Sequence, residues 1–344
     1  MTTSPSALAA WDDLVPGAER QELADTARRH FAEQFPLTGV RECFGAGGRP
    51  LDRWVEIVEA GYPVIGLPES AGGIGGLTDL VAVVEESGRA LLPLPLAATA
   101  AGRHTLIRGG LGVPAETDRS TALTTDPAAG VLDGAGAATV VTVAVVDDAT
   151  TRVAEVTPAG APELVTHVDP SRPVARWSGS IAEGRAQTVD ATIDHVLAPA
   201  RTIFAADLVG IAAGALQRSV DHALAREQFG RPIGAFQAVK HRLADHYVLV
   251  ERARSLTRAA AVVVDHPELD TDWAPGVLAL LAKAAAAEAA LRITATHVQL
   301  LGAMGVTFEA DAHLYFRRAE QTASVLGSTA ECQIRAVRLM GTRR

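Results

Sequence analysis

The feature that most constrains the fold is a change of periodicity that occurs twice along the chain. Up to about residue 118, apolar residues recur at helical spacing. Three segments show this most clearly, residues 23–35, 51–60 and 77–92. From about 119 to 200 the chain turns to short β-branched runs between Gly, Asp and Pro turns. The clearest of these runs are residues 140–146, 151–156 and 188–196. Long Ala- and Leu-rich helical patterns return from about 202, which predicts a mainly α-helical protein with a small β-domain in its middle.

We therefore predict three domains in a chain of 344 residues, which is long enough to bury a sizeable core. They are an N-terminal helical domain over residues 1–118, a central β-domain over 119–200 and a C-terminal four-helix bundle over 201–344. Hydrophobic residues make up 48% of the chain and aromatic residues only 4%, so the core must depend on aliphatic side chains. In the third helix of the first domain we expect Glu85, Glu86 and Arg89 to face water.

Bulk properties exclude several classes of protein. A net charge of −9 argues against nucleic acid as the main partner, because binding phosphates needs a basic face. Cys43 and Cys332 have neither zinc-site spacing nor the pattern of a disulfide framework. The N-terminus lacks a secretory signal pattern, and the apolar run over 277–291 carries Lys283 and Glu288, which we expect on a helix surface. These observations predict a cytoplasmic protein with no membrane span and no metal site.

One segment carries chemistry, Arg226-Glu-Gln-Phe-Gly-Arg-Pro-Ile-Gly-Ala-Phe-Gln-Ala-Val-Lys-His241. Glycines and a proline over 230–234 end one helix, and a second amphipathic run follows. A turn held between two helices can present Arg226 and Gln228 to an anion, since a guanidinium matches two phosphate oxygens. The plainer interpretation is a helix hairpin with an arginine on its surface.

The segment closely resembles the signature at the start of the C-terminal domain of acyl-CoA dehydrogenases. That resemblance implies that Arg226, Gln228 and Phe229 contact the pyrophosphate side of an FAD bound by the neighbouring subunit. It also implies that Gln237 lies on the adenine side of the same FAD.

A second element supports the resemblance, Gln299-Leu-Leu-Gly302-Ala-Met-Gly305-Val-Thr307, which is similar to the family's Gln-x-x-Gly-Gly-x-Gly. It implies that Gln299, Gly302 and Gly305 approach the ADP half of FAD, because glycine lets main-chain amides come close to phosphate. The family's second glycine is Ala303 here. The run from 66 to 89 is also typical of the family's first helical domain, so the resemblance covers nearly the whole chain.

The catalytic base of the family is missing. In most members a glutamate followed by Gly-Thr removes the α-proton of the acyl-CoA thioester, and a base must lie within hydrogen-bond reach of that proton. Here Gly327 stands at that position within Leu326-Gly-Ser-Thr329, and Thr329 joins the predicted FAD contacts. A second family location for the base falls on Ala200. We therefore predict no catalytic residue in this chain.

Three other acidic residues have ordinary explanations. Glu331 is the better substitute base and Glu320 the weaker one, but both are expected to be solvated helix charges. Asp207 is expected to cap the start of a helix. The central domain departs from the family too, because residues 123–130 lack a usual serine and no Trp-Ile-Thr-Asn segment is recognisable.

The resemblance with its departures predicts a subunit of an FAD-dependent acyl-CoA dehydrogenase. It would act on an acyl-CoA together with a homologous, Glu-bearing subunit in a hetero-oligomer and pass electrons to an electron-transfer acceptor. Two alternatives remain open. One is a non-catalytic homo-oligomeric scaffold or acyl-CoA-binding protein of the same fold, and the other is a same-fold flavoenzyme with different chemistry, such as oxygenation.

Overall fold

The computed structural model describes residues 10–45, 50–114, 117–157, 160–165, 167–177, 182–269 and 275–341. Within these ranges the chain begins with five α-helices that form the N-terminal part. They are α1 (Ala18–Gln34), α2 (Leu37–Glu42), α3 (Trp54–Glu59), α4 (Leu77–Arg89) and α5 (Leu96–Arg108). The sequence predicted α1, α3 and α4 but not α5, whose Ala- and Thr-rich stretch is buried almost throughout and so lacks a polar face.

Within the described residues, the central part contains seven strands in two small sheets. They are β1 (Thr121–Thr124), β2 (Val131–Leu132), β3 (Thr139–Val145), β4 (Thr151–Thr157), β5 (Glu163–Val165), β6 (Val174–Arg176) and β7 (Ala182–Val189). One sheet has the order β1-β3-β4-β7, in which β1 and β3 are parallel and the other pairs antiparallel. The other sheet has the antiparallel order β2-β6-β5.

The strand predicted over 188–196 is wrong beyond Val189. β7 ends at Val189, and the chain then forms a short helix, α6 (Ile193–Val196). The hydroxyl of Thr192 accepts a hydrogen bond from the His195 amide and so caps this helix, which overrides the β-branched character of the segment.

The C-terminal part is a bundle of long helices. They are α7 (Ala198–Ala225), α8 (Gln237–Asp265), α9 (Pro275–Leu301), α10 (Ala312–Ala323) and α11 (Thr329–Gly341). A hairpin of two short strands, β8 (Glu227–Gln228) and β9 (Arg231–Pro232), joins α7 to α8. The predicted order of helices, a small sheet region and a helical bundle is therefore confirmed.

Helix α7 is the core of the molecule. By length and composition it could cross a membrane, but 83% of its most apolar stretch is buried against other parts of the protein. Its contact with α4 is close because both helices place glycine there. A Cβ atom on Gly210 would lie 1.9 Å from the carbonyl oxygen of Glu85, and one on Gly88 would lie 2.1 Å from that of Asp207. Alanine at either position would push the two helices apart.

Charged side chains join the central part to the bundle. Arg172 donates to Asp133 at 2.9 Å and to Asp207 of α7 at 2.8 Å, and the three side chains are almost fully buried. Burial raises the pKa of Asp207, while Arg172 opposes that shift. The prediction that Asp207 caps a helix start is wrong, because α7 already begins at Ala198 and Asp207 lies inside it.

A second buried group reinforces this junction. Arg318 of α10 pairs with Asp169 and donates to the hydroxyl of Ser171 at 2.7 Å. Gln321, one turn later, donates to the Arg172 carbonyl at 2.6 Å and accepts from the Asp169 amide at 3.1 Å. The central part is thus attached to α7 and α10 by buried ion pairs and hydrogen bonds.

Replacing Arg172 by Leu is expected to lower the free energy of unfolding by about 3–5 kcal/mol, because Asp133 and Asp207 would stay buried without the guanidinium between them. Arg185→Leu is the matched control, since Arg185 is half-exposed in its pair with Glu155 and its loss should cost less than about 1 kcal/mol. Denaturant and thermal unfolding of both variants measure the difference. Equal losses would contradict a structural role for the Arg172 contacts.

Candidate functional site

The long helices bring several of the predicted FAD contacts to one end of the bundle. Helices α7 and α9 run parallel, since Gly276 lies against Asp194 at their starts and the side chains of Ser219 and His297 are 3.0 Å apart near their ends. Helix α8 runs the opposite way, as the contacts of His246 with Thr296 and of Arg252 with Glu288 show. The ends of α7 and α9 and the start of α8 therefore lie together.

We call this region the cofactor end. It is defined by the hairpin over 227–232, the start of α8 and the turn that follows α9. The predicted residues found there are Arg226, Gln228, Phe229, Gln237, Gln299, Gly302 and Gly305. They come from three separate stretches of sequence, and only the bundle geometry places them side by side.

The hairpin presents an unusual exposed phenylalanine. Phe229 and Gly230 form its turn with φ angles of +53° and +74°, as a two-residue turn with left-handed central residues requires. Phenylalanine rarely adopts this conformation, and here its ring is 92% exposed. It lies edge-on to Phe236, over which the Arg231 guanidinium stacks at 4.2 Å. A strained and exposed aromatic residue is typical of a surface that contacts another molecule.

The polar groups of the cofactor end are available for binding. The Arg226 side chain is exposed and has no hydrogen bond or ion pair to any residue that the structure describes. Gln228 donates only to the carbonyl of its neighbour Glu227. Residues 226–242 contain four Lys or Arg and one Glu, a net charge of +3 in a chain whose total is −9. This end therefore attracts anions although the protein as a whole is acidic.

The two glycines after α9 have different surroundings. Gly302 has a φ of +64° and no atom near the position of an added Cβ, so its backbone faces open space. Gly305 is buried, and a Cβ there would lie 2.3 Å from the Val298 carbonyl oxygen. The packing of this turn on α9 explains Gly305 without any ligand. The exposed side of the turn begins with Gly302 and Ala303.

Thr329 is not part of the cofactor end. It starts α11, which packs against the first half of α9, where Cys332 and Ala336 contact Val277 and Leu280. Lys283 of α9 contacts Gly327, just before α11, and the sixteen helical steps from Lys283 to Gln299 span about 24 Å at 1.5 Å each. Thr329 can therefore contribute only to a different site of the same chain.

The turn at Gly327 has a backbone that favours glycine. Its φ is +116°, and an added Cβ would lie 3.1 Å from the Cys332 sulfur. A buried guanidinium of Arg201 donates to the Leu326 carbonyl at 3.2 Å. The ammonium of Lys283 donates to the Ala323 carbonyl at 2.8 Å and contacts that of Gly327 at 3.5 Å. A side chain at position 327 would strain a turn that these contacts hold in place.

Neither glutamate near this turn is arranged as a base. Glu331 is exposed and accepts hydrogen bonds from the Ser328 amide at 2.9 Å and hydroxyl at 2.7 Å, which caps α11. The bond from the Ser328 amide lowers the pKa of Glu331, so this carboxylate is a poorer proton acceptor than usual. Glu320 is exposed on α10, and Ala200 is fully buried in α7.

Comparisons with known proteins agree with this architecture. The family models for the acyl-CoA dehydrogenase N-terminal and C-terminal domains match residues 17–110 and 191–339. The acyl-CoA dehydrogenase IpdE2 of Mycobacterium tuberculosis is 34% identical over 329 residues, which cover 92% of this chain and 96% of that protein. The acyl-CoA dehydrogenase FadE34 of the same organism is 32% identical over 95% of this chain but only 48% of its own length.

Among solved structures, one chain of the ChsE4–ChsE5 complex from Mycobacterium tuberculosis matches with a TM-score of 0.78 and 25% identity, over 96% of this chain and 99% of that one. The chain belongs to the acyl-CoA dehydrogenase family. The family resemblance and the predicted fold class are thereby confirmed, and the chain is assigned to the FAD-dependent oxidoreductases that act on acyl-CoA thioesters.

Sequence reasoning placed several charged residues of this acyl-CoA dehydrogenase wrongly. Lys283 was expected on a helix surface but is fully buried beneath the Gly327 turn. Its neighbours one turn away, Ala279, Leu280, Ala286 and Ala287, are all apolar, and that pattern was the available sign of burial.

The prediction that Glu85 and Glu86 of α4 face water is also wrong. Glu85 and Glu86 are buried rather than solvated, because arginines from α1 and α8 lie against them. Arg89 is partly buried and pairs with both. No local pattern in α4 indicates these distant partners.

Burial lowers the pKa of Lys283 to about 8, against about 10.4 in an unfolded chain. Between these values the unfolded chain holds more protons, so stability rises with pH. From pH 7.5 to 10.5 we expect the wild type to gain about 2–3 kcal/mol relative to Lys283→Met. The chain's other lysine, the exposed Lys240, supplies the control, and Lys240→Met should show no such trend. Denaturation curves across this pH range test it, and a constant difference for Lys283→Met would refute it.

Proposed function

We propose that this chain is a subunit of a heteromeric FAD-dependent acyl-CoA dehydrogenase. Its cofactor end would contact the pyrophosphate and adenine of an FAD bound mainly by a homologous partner, and that partner would supply the catalytic glutamate. The observation that carries the proposal is the contrast between two positions. Gly327 lies in a turn whose backbone favours glycine, whereas Arg226 offers a free guanidinium on a basic surface.

The residues of the cofactor end suit the ADP half of FAD. Arg226 can bind two phosphate oxygens in a bidentate manner, and the exposed amides of Gln237 and Gln299 can hydrogen-bond adenine or ribose. Gly302 leaves its backbone open to close approach. When bound, FAD accepts the hydride that leaves the β-carbon of the acyl thioester. This chain's own part would be to hold the diphosphate and to orient the cofactor.

Apolar exposure supports a partner at the same end. The ring of Phe229 is joined there by Met304, Val306 and Phe308, which follow α9 and are 57%, 73% and 61% exposed. Large apolar side chains clustered around a polar site are typical of a surface that another protein covers. A homologous chain that carries FAD would cover them while its cofactor reaches Arg226.

Two of the comparisons are consistent with pairing. The matched solved structure is that of a complex between two proteins, ChsE4 and ChsE5. FadE34 contains a region that aligns with nearly all of this chain and a further part of similar length. That extra length leaves room for a second unit beside one like this chain, which is the arrangement that a base-lacking subunit needs.

Arg226→Ala is expected to weaken FAD retention by the assembled enzyme roughly 10- to 100-fold, because a charge-assisted contact to a diphosphate contributes about 1.5–3 kcal/mol. The matched control is Arg29→Ala, an exposed arginine on α1 that hydrogen-bonds only Thr26. Flavin absorbance after dilution and gel filtration measures the retained cofactor. Full flavin occupancy in the Arg226 variant would make this residue an ordinary surface arginine.

The purified chain alone is expected to contain little flavin. It should not reduce an artificial acceptor whichever acyl-CoA is supplied, since loss of a general base costs roughly 10²–10⁴-fold in rate. Co-expression with a homologue that carries the C-terminal glutamate should give an active hetero-oligomer with fewer flavins than chains. Turnover by the isolated chain would overturn the proposal. A stable, flavin-free homo-oligomer that pairs with no homologue would instead support the scaffold or acyl-CoA-binding alternative.

A further inference from the structure

A cleft that the proposed function does not use lies between α1, α4 and α8. It has a volume of about 210 Å³ and is lined by arginines from all three helices. We call it the arginine cleft and define it by its five arginines, Arg20, Arg28, Arg89, Arg254 and Arg258. Gln237 at the cofactor end precedes Arg258 by 21 residues of the same helix, about 30 Å along its axis. The cleft is therefore separate from the predicted FAD contacts.

The acidic residues on its floor already have partners. Glu85 accepts hydrogen bonds of 2.7 and 3.0 Å from the Arg254 guanidinium. Glu86 accepts two hydrogen bonds of 2.9 Å from Arg28 and one of 2.9 Å from Arg89. Both carboxylates are buried and accept hydrogen bonds from these arginines, so they hold the guanidinium groups in place.

The acids at the rim are engaged as well. Arg20 donates to Asp79 at 2.8 Å and also pairs with Asp13. Glu251 pairs with Arg254 one turn away on α8. None of these carboxylates forms a hydrogen bond or ion pair with Arg258.

Arg258 is the cation that remains. It lies one turn beyond Arg254 on the same face of α8 and has no hydrogen bond or ion pair to any residue in the part of the chain that the structure describes. It is partly buried, and this burial lowers its pKa. Its guanidinium nitrogens are unpartnered among the described residues but still accessible from the cleft, so its five donors are open to a ligand.

An anion would satisfy this arginine. Pro16, Ala24, Val81 and Ala82 contribute apolar surface to the same walls, and the volume equals about seven water molecules at roughly 30 Å³ each. We propose that the arginine cleft binds a small oxyanion, a carboxylate or a phosphate, with Arg258 as its main ligand. The neighbouring guanidinium groups are balanced by their carboxylates, so Arg258 supplies the unbalanced positive charge, and the apolar wall accommodates the short carbon chain of an organic acid. This proposal does not depend on the function proposed above.

Titration calorimetry with inorganic phosphate and with butyrate, each against chloride at equal ionic strength, tests the proposal on the full chain. The wild type should bind at least one of the two anions saturably at one site per chain, and the anion that binds identifies the ligand as phosphate or carboxylate. Arg258→Gln should weaken that binding roughly tenfold or more. Thermal unfolding of each variant in chloride shows whether it is folded.

Two further variants make the result specific. Arg252→Gln is the matched control, because Arg252 lies on α8 as well but is exposed and paired with Glu288. It should bind as the wild type does. Arg226→Ala separates the two ends of the molecule, because it can remove only an anion held at the cofactor end and should leave the Arg258-dependent binding in place. Binding lost in Arg226→Ala but kept in Arg258→Gln would overturn the proposal, as would the absence of saturable binding in the wild type.

Discussion

The rest of the structure depends on the burial of α7. Over most of its length this helix has no polar face, so it must be covered on every side rather than on one. Helices α4, α5, α8 and α9 provide that cover. Helix α4 comes especially close to α7 at Gly88 and Gly210, because no side chain separates the two backbones there. Along α7, helix α9 runs parallel and helix α8 antiparallel to it.

Those directions place two contrasting regions far apart in the molecule. At one end α7, α8 and α9 expose Arg226, whose side chain is unpaired among the described residues, together with side-chain amides and apolar rings. Near the other end, at the Gly327 turn, buried donors from Lys283 and Arg201 occupy the main-chain carbonyls. The first region has polar groups still to be satisfied, whereas the second has its groups satisfied within the chain. This difference separates the polar groups that the chain leaves open to a ligand from those that it uses within its own fold.

The sequence-based predictions failed mainly at charged residues. Asp207, Glu85 and Lys283 were assigned to helix caps or surfaces because a charge is costly to bury without a partner. Each has its partner far away in sequence: Asp207 pairs with Arg172, and Glu85 with Arg254, 169 residues later. Lys283 is satisfied by carbonyls at the end of α10. Local patterns contain no information about such partners, so residue type alone gave the wrong environment.

Local chemistry determined much of this protein from the sequence by itself. The switch from period 3.6 to β-branched runs and back predicted the order of helices, sheet and bundle, and the glycines and proline over 230–234 predicted the break between α7 and α8. Glycine at position 327 excluded a base there. The tertiary structure alone decided that Arg226, Gln237 and Gln299 share one end while Thr329 does not, and that Arg258 lines a cleft without a partner. These facts depend on how helices distant in sequence pack together, and packing geometry cannot be read from the spacing of residues along one helix.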